Sequence, residues 1–485
     1  MKVLVMTEAR YGDAMRAEEA ALLDTLDRVL RDALATVGNR PAIPVGADEA
    51  LAVLREPLPL RGTGGEAALA QLLELNAAAG ANTAGPRCFH FVIGGSTPAA
   101  LAADIVATAY ETLTYTWVTS PIGVRMEMQA LDWLKEMFGL PREWAGVMTT
   151  GATMANFVCL MSARQWWGLR HGKNAARDGL LGLPPMPVVS SGYFHASTKK
   201  CLSMMGVGWG NVRICARDEV GRVDLAKMRA ELDALDGAPA LVVINAGEVN
   251  AGDFDPVAEI MDLAREYDTW VHVDGAFGMF ARISPRVAHL VAGAERADSV
   301  TVDGHKWLNV PYDVGFALVR DHALMAEAFR YTADYLPAYD EPRPTPGAIS
   351  PESSRRGRSF SVWAALKAYG LEGQRALVEH CLDLAVELGR IVEAAPDLEL
   401  LAPVQLNIAA FRYNPGGMTD EQLDALNARL GEAVLADGRF LVGTSRLGPR
   451  TIFRPCFSNW RTQPEHVAEF AAVVQELGAK LIASA

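Results

Sequence analysis

From about Ser96 to Tyr369 the chain alternates helical stretches with short apolar runs, and no other feature limits its fold more. "PVVSS", "VRICA", "ALVVINAG", "WVHVDGA", "SVTVD" and "GFALVR" are strand-like, and helices separate many of them. That pattern predicts an α/β domain built on a mostly parallel, buried sheet. In such sheets ligands bind beyond the strand ends. Polar residues that close an apolar run are therefore the first candidates for chemistry.

The flanks differ. "AEEAALLDTLDRVLRDALATVG", Ala17 to Gly38, spaces its apolar residues as an amphipathic helix and ends on glycine. A second helix is predicted around Glu66–Ala79, and the Pro- and Gly-rich stretches "NRPAIP" and "REPLPLRGTGG" lie between them. Such helices can hardly form a core alone, so residues 1–95 are expected to be an N-terminal arm that packs on something else, a second subunit being one option. Residues 96–370 are the large α/β domain. "DYLPAYDEPRPTPGAIS" within it reads as a loop. Residues 371–485 carry a long helix, the strand "VQLNIAAFRY", a helix near Thr419–Ala436, a strand pair and a terminal helix, which predicts a small α+β domain.

Composition narrows the class. A net charge of -13, from 45 basic and 58 acidic residues, disfavours nucleic acid or an anionic membrane as partner. Half the residues are hydrophobic, which supports a large core. The six cysteines form no CxxC pair, so reduced, buried thiols in a cytoplasmic protein are expected, with no disulfide framework and no metal. The apolar patch at the N-terminus is too short for a signal peptide, and no window reaches transmembrane length.

Four strand-end features carry the chemistry. Lys306 follows "SVTVD" in "GHKW". Its stem packs while its head reaches water, or it is a Schiff-base lysine, since desolvation disfavours the ammonium and frees the nucleophilic amine. Asp274 ends "WVHVD", an expensive place for a lone carboxylate. It closes an Asx turn, or it pairs with a dedicated cation such as a protonated pyridine nitrogen, the pairing that makes pyridoxal phosphate an electron sink. In "MTTGATMANFVCLMSAR" a turn with Gly151, Ala152 and Thr153 opens a helix whose free N–H groups suit a phosphate, unless Thr153 is only an N-cap. His195, in "SSGYFHASTKKC", is either a satisfied histidine or a flat ring lying on a flat cofactor. One ligand fits all four.

The chain also resembles the group II pyridoxal-phosphate decarboxylases, which include aromatic-L-amino-acid, glutamate, histidine and tyrosine decarboxylases. The resemblance runs from about Phe89 to Val467. It rests on "FHFVIGGSTPAALAAD", "TWVTSPIGVRMEMQALDWL", "GVMTTGATMANF", "GEVNAGDFDP", "WVHVDGAFG", "ADSVTVDGHKWL", "RRGRSFSVWAAL" and "SNWRTQPEHV" in that order. It implies the type I aminotransferase-like fold as a homodimer whose arms embrace the neighbour. It implies that Lys306 binds pyridoxal 5'-phosphate covalently, Asp274 meets the ring nitrogen, and His195 and Ala276 cover the ring faces. Ala152, Thr153 and His305 would hold the phosphate, and Asn250 would lie near the cofactor or the substrate carboxylate. Phe89, His90 and Phe91 match the substrate-side segment. Tyr115 and Trp117 match a segment that lines the site partly from the partner subunit.

The implied activity is α-decarboxylation of an L-amino acid to an amine and CO2. The aromatic residues of the substrate segments favour an aromatic substrate, while Arg87 and Arg125 keep an acidic one open. Decarboxylation-dependent oxidative deamination to an aldehyde, another lyase reaction or a non-catalytic cofactor-binding protein are the alternatives. Two departures bear on this. The family often has Asn-Pro-His-Lys where this chain has Asp303-Gly304-His305-Lys306. An aspartate repels a phosphate unless it is turned away or otherwise paired, so Asp303 is not placed in the site. No tyrosine stands where aromatic-specific members carry one thought to deliver the product's proton. Tyr331, Tyr335 or Tyr339 would substitute, or His195, water or the partner chain.

Overall fold

The computed structural model describes residues 11–330, 334 and 343–484. Tyr331, Tyr335 and Tyr339 lie outside the described residues. Seven strands, β1 (Ala145–Thr149), β2 (Val188–Ser190), β3 (Val212–Ile214), β4 (Ala240–Asn245), β5 (Thr269–Asp274), β6 (Ser299–Asp303) and β7 (Gly315–Val319), form one sheet in the order β1-β7-β6-β5-β4-β2-β3. β2, β4, β6 and β7 are buried at every residue, as a sheet covered on both faces requires. The pairs β2–β3, β2–β4, β4–β5 and β5–β6 are parallel, and β7 runs antiparallel to both β6 and β1. The mostly parallel α/β class expected from the sequence is present. β1 was not among the runs read as strands.

The register assembles the site. Asn245 pairs with Asp274, Asp274 with Thr301, and Gly315 with both Asp303 and Thr149. The carboxyl ends of β1, β4, β5 and β6 thus share one edge. Gly315 has to be glycine there, because a Cβ would stand 2.4 Å from the Gly151 carbonyl carbon.

The helices used below are α1 (Tyr11–Thr36), α2 (Gly65–Ala79), α3 (Pro98–Ala109), α4 (Pro121–Phe138), α5 (Ala152–Arg170), α6 (Ala196–Met204), α7 (Ser359–Ala394), α8 (Asp420–Asp437) and α9 (Pro464–Ala483). α7 has 36 residues and breaks at Gly370, where φ is 60° and ψ -172°. It leads into a second, antiparallel sheet of β8 (Leu398–Leu400), β9 (Phe411–Tyr413), β10 (Thr444–Leu447) and β11 (Arg450–Phe453), ordered β10-β11-β9-β8. α8 starts on a Thr419–Gln422 capping box.

α1 leaves Leu23, Leu26, Leu30 and Leu34 exposed. Residues at the end of the expected arm are tied to the C-terminal sheet region: Phe89 N–H donates to Leu441 O at 2.8 Å, and Cys456 N–H donates to Phe89 O at 3.0 Å. All six cysteines are buried free thiols. No helix among the described residues is long and apolar enough to cross a membrane.

Candidate active site

A cavity of about 290 Å³ opens at the shared strand edge and is lined by Ala152, Thr153, His195, Asp274, Ala276, His305 and Lys306, among others. These residues are separated widely in sequence and meet because each closes a strand or opens the helix that follows one.

Asp274 is buried, and every contact it makes is with a donor. Its Oδ2 accepts from Asn156 Nδ2 at 3.0 Å and from Thr198 Oγ1 at 3.2 Å, and its Oδ1 accepts from Ala276 N–H at 3.3 Å. The Asx turn is thus real, but it occupies one oxygen only. No ion pair within 4.0 Å reaches Asp274 among the described residues. A buried carboxylate that is hydrogen-bonded but lacks a cation is unusual. Its place on the cavity wall leaves room for a cationic ligand, and a protonated ring nitrogen fits that need.

The helix start differs from expectation. Gly151 is the N-cap of α5, and no side chain of the helix caps it. Thr153 is therefore not the cap. The first free N–H, of Ala152, donates to Asp303 Oδ1 at 2.8 Å. Asp303, left out of the site on sequence grounds, lines the cavity and is only 2 % exposed. Its Oδ2 lies 3.2 Å from Lys306 Nζ and 3.3 Å from His305 Nε2. Burial by itself raises the Asp303 carboxyl, but the Lys306 charge and the hydrogen bonds from His305 and Lys306 outweigh burial and hold it below the usual carboxylate range. Lys306 Nζ also sits 5.9 Å from the Phe277 ring centre. Its company is more polar than the flanking sequence suggests. His305 accepts the Val314 N–H on Nδ1 at 3.1 Å, which leaves Nε2 facing Asp303, and its ring stacks on Tyr312 at 4.0 Å.

His195 accepts the Ser197 N–H on Nδ1 at 3.2 Å, and the Ser197 hydroxyl is 2.7 Å from the same nitrogen. The neutral ring therefore carries its proton on Nε2. Burial pushes the imidazole below the usual histidine range, with Asp274 pulling the other way.

Other expected residues are placed elsewhere. Asn250 does not line the cavity: its Nδ2 donates to Glu248 Oε1 at 2.6 Å and its Oδ1 accepts from Ser445 Oγ at 2.6 Å, so it ties a site loop to β10. Phe89 is fully buried among Phe440, Phe457 and Phe470, with ring centres 4.9 to 5.5 Å away, because an apolar ring between two domains gains more from that core than from a wet cleft. His90 and Phe91 pack against each other with ring centres 3.8 Å apart and planes tilted by 51°, and Phe91 is 60 % exposed. Tyr115 packs where a Cβ on Gly347 would touch its ring, and Trp117 lies under Arg125 at 5.2 Å. None of these five lines the cavity of its own chain.

The sequence reading passed over Glu248, Tyr193, Asn156 and Arg454. Glu248 and Tyr193 line the cavity. Burial raises the Glu248 carboxyl, against three hydrogen bonds and the charge of Arg454. Arg454 is buried and donates to Phe91 O at 3.2 Å. A lone arginine in the apolar run "TIFRPCF" was its signal.

The comparisons agree with this geometry. The profile described as the pyridoxal-dependent decarboxylase conserved domain matches residues 65–414. An aromatic-L-amino-acid decarboxylase from Bacillus atrophaeus is 29% identical over 399 residues, 81% of each chain. An L-2,4-diaminobutyrate decarboxylase from Acinetobacter baumannii is 30% identical over 361 residues, 71% of each chain. Among solved structures, Oryza sativa TDC with PLP and tryptamine superposes with a TM-score of 0.87 at 24% identity, covering 98% of this chain and 99% of that one.

Proposed function

The chain belongs to the pyridoxal-dependent decarboxylase family and is a pyridoxal-phosphate-dependent carboxy-lyase, and from that premise we propose that it converts an L-amino acid with an aromatic side chain to its amine and CO2. The observation that carries the reading is Asp274, a buried carboxylate supplied with donors and no cation, in one cavity with Lys306. Lys306 would hold the cofactor covalently. Asp274 would meet the ring nitrogen, His195 and Ala276 would cover the ring, and Ala152, Thr153 and His305 would hold the phosphate. The bound cofactor supplies the sink for the electron pair of the breaking Cα–carboxylate bond.

The protein's own groups do the rest. Asp274 stays an acceptor because all its neighbours donate. His195 holds a proton on Nε2, the nitrogen not engaged by Ser197, and is the proton donor on this chain. Lys306 would supply the amine that holds the cofactor between turnovers. The protein works as a cytoplasmic homodimer. Tyr115, Trp117 and Phe91, which are off the cavity of their own chain, complete the partner's site and supply its aromatic lining.

A second substrate has one observation in its favour. Glu248 and Asp303 add two carboxylates to the wall that Asp274 already occupies. That lining repels a dicarboxylic amino acid and suits a cationic side chain such as that of L-2,4-diaminobutyrate.

The test is CO2 release from purified protein with each aromatic L-amino acid, L-2,4-diaminobutyrate and L-glutamate, with product identification. Amine from an aromatic substrate is expected. Aldehyde plus ammonia, with CO2 still released, would replace simple decarboxylation by decarboxylation-dependent oxidative deamination. No visible cofactor band in the native protein would remove the cofactor assignment, and a band that survives Lys306→Ala unchanged would remove Lys306 as the residue that holds it.

A further inference from the structure

Behind Asp274 lies a hydrogen-bond chain with an obligate donor at one end and a carboxylate at the other. It begins at the Trp270 indole, which can only donate. Trp270 Nε1–H donates to Ser299 Oγ at 3.0 Å. Ser299 Oγ lies 2.9 Å from His272 Nδ1, and His272 Nε2 lies 2.9 Å from Asn156 Oδ1. Asn156 Nδ2 donates to Asp274 Oδ2 at 3.0 Å, and the same nitrogen reaches Ser197 Oγ at 3.3 Å. Ser197 is the residue that occupies His195 Nδ1. Asn156 is therefore a hub between Asp274 and His195.

The directions follow from donor and acceptor inventories. The indole fills one acceptor position of Ser299 Oγ, and the Ser299 proton fits the His272 Nδ1 lone pair at 2.9 Å. The neutral ring then carries its proton on Nε2 and donates to Asn156 Oδ1, so the Asn156 amide turns its N–H groups to Asp274 and Ser197. Run in reverse, the chain would set Asn156 Oδ1 against Asp274 Oδ2, which requires Asp274 to be protonated. Trp270, Ser299, His272 and Asn156 are at most 3 % exposed, so water cannot rescue a broken link. Burial lowers His272 to about 4, so the ring stays neutral at physiological pH.

We propose that Trp270, Ser299, His272 and Asn156 are positioning residues whose one-directional chain holds Asp274 as the unprotonated acceptor for the cofactor's ring nitrogen. Through Ser197 the same hub fixes the proton of His195 on Nε2. The proposal rests on the assignment of Asp274 to the ring nitrogen made above.

The experiment measures binding of two ligands to the full-length cofactor-free protein: pyridoxal phosphate and its 1-deaza analogue, in which carbon replaces the ring nitrogen. Asn156→Leu and His272→Phe are compared with wild type and with Asp274→Asn, each first checked by thermal denaturation. Both variants are expected to lose on the order of tenfold to a hundredfold in affinity for pyridoxal phosphate and about twofold or less for the analogue. Equal losses with both ligands would mean that the chain serves packing alone. If Asp274→Asn itself failed to distinguish the ligands, the assignment of Asp274 would fall, a separate result from failure of the chain. For a variant that does not fold, nitrogen NMR of the wild-type protein gives the answer. His272 should be neutral with its proton on Nε2 at pH 7, and a proton on Nδ1 or on both nitrogens would overturn the chain.

Discussion

Asp303 is the residue whose placement most changes the chemistry of the site. It accepts the Ala152 N–H at the start of α5, where the resemblance puts a phosphate, and it pairs with Lys306 at 3.2 Å. A carboxylate and a phosphate within a few ångströms of each other repel by several kcal/mol at the effective dielectric of a protein site. Asp303→Asn keeps the size of the side chain and removes the charge. It should bind pyridoxal phosphate about tenfold more tightly, while pyridoxal without its phosphate should change little. Absorbance titration of the cofactor-free variant measures both, and equal gains for the two ligands would place the effect on the ring. Lys306, Asp274 and His195 were legible because a polar side chain closing an apolar run needs a partner wherever the fold puts it, and Ala152 because the turn it sits in opens a helix with free N–H groups. Phe89 and Asn250 were not. Whether each faces the cavity depends on how the C-terminal sheet docks, and neither "FHF" nor "GEVN" carries that information.

At the scale of elements, the β1–α5 turn does most to shape the site. Gly151 sits at φ 128°, and a Cβ there would stand 2.9 Å from His305 Cε1 and 3.4 Å from Asp303 Oδ1. Gly151→Ala should therefore lose roughly 1–3 kcal/mol of stability from the disfavoured backbone and, by moving His305 and Asp303, most of its bound cofactor. Gly172→Ala is the control. Its φ is also positive, at 70°, but a Cβ would meet nothing within 4 Å, so it should lose stability and keep the cofactor. Denaturant melts and cofactor content after gel filtration read both, and equal cofactor content in the two variants would detach the turn from the site. Most strands were legible as apolar runs. The direction of β7 was not, because "GFALV" is equally apolar read either way. The cue lay in the connection: residues 304–314 hold no helix, and a parallel return needs a longer crossover, usually helical.

At the scale of the whole molecule, one chain leaves its apolar surface unfinished. α1 exposes four leucines, and around the segment that bears Tyr115 and Trp117 the side chains of Tyr110, Val118 and Ile122 are also exposed. Exposed apolar groups of this kind are candidates for an interface, and a two-fold dimer would cover the same surfaces on both chains. The sequence led to the expectation that the arm packs on something else, since two helices joined by long linkers can hardly form a core of their own, although α1 and α2 do touch, with Gly65 N–H donating to Glu18 Oε1 at 2.5 Å. It carried no sign that residues 88 and 89 leave the arm to pair with Leu441, because that contact spans hundreds of residues. If Trp117 completes the site of the neighbour, subunits defective in different ways should rescue each other. Lys306→Ala chains and Trp117→Ala chains are each expected to be poorly active alone. Dissociated and reassembled together, half of the dimers pair one chain of each kind, and each of those has one site with both residues intact. Activity should then recover to about a quarter of wild type by the statistics of a symmetric dimer. Activity that stays at the average of the two separate variants would return Trp117 to its own chain's site and remove the shared-site arrangement, while leaving the decarboxylase chemistry of Lys306 and Asp274 untouched.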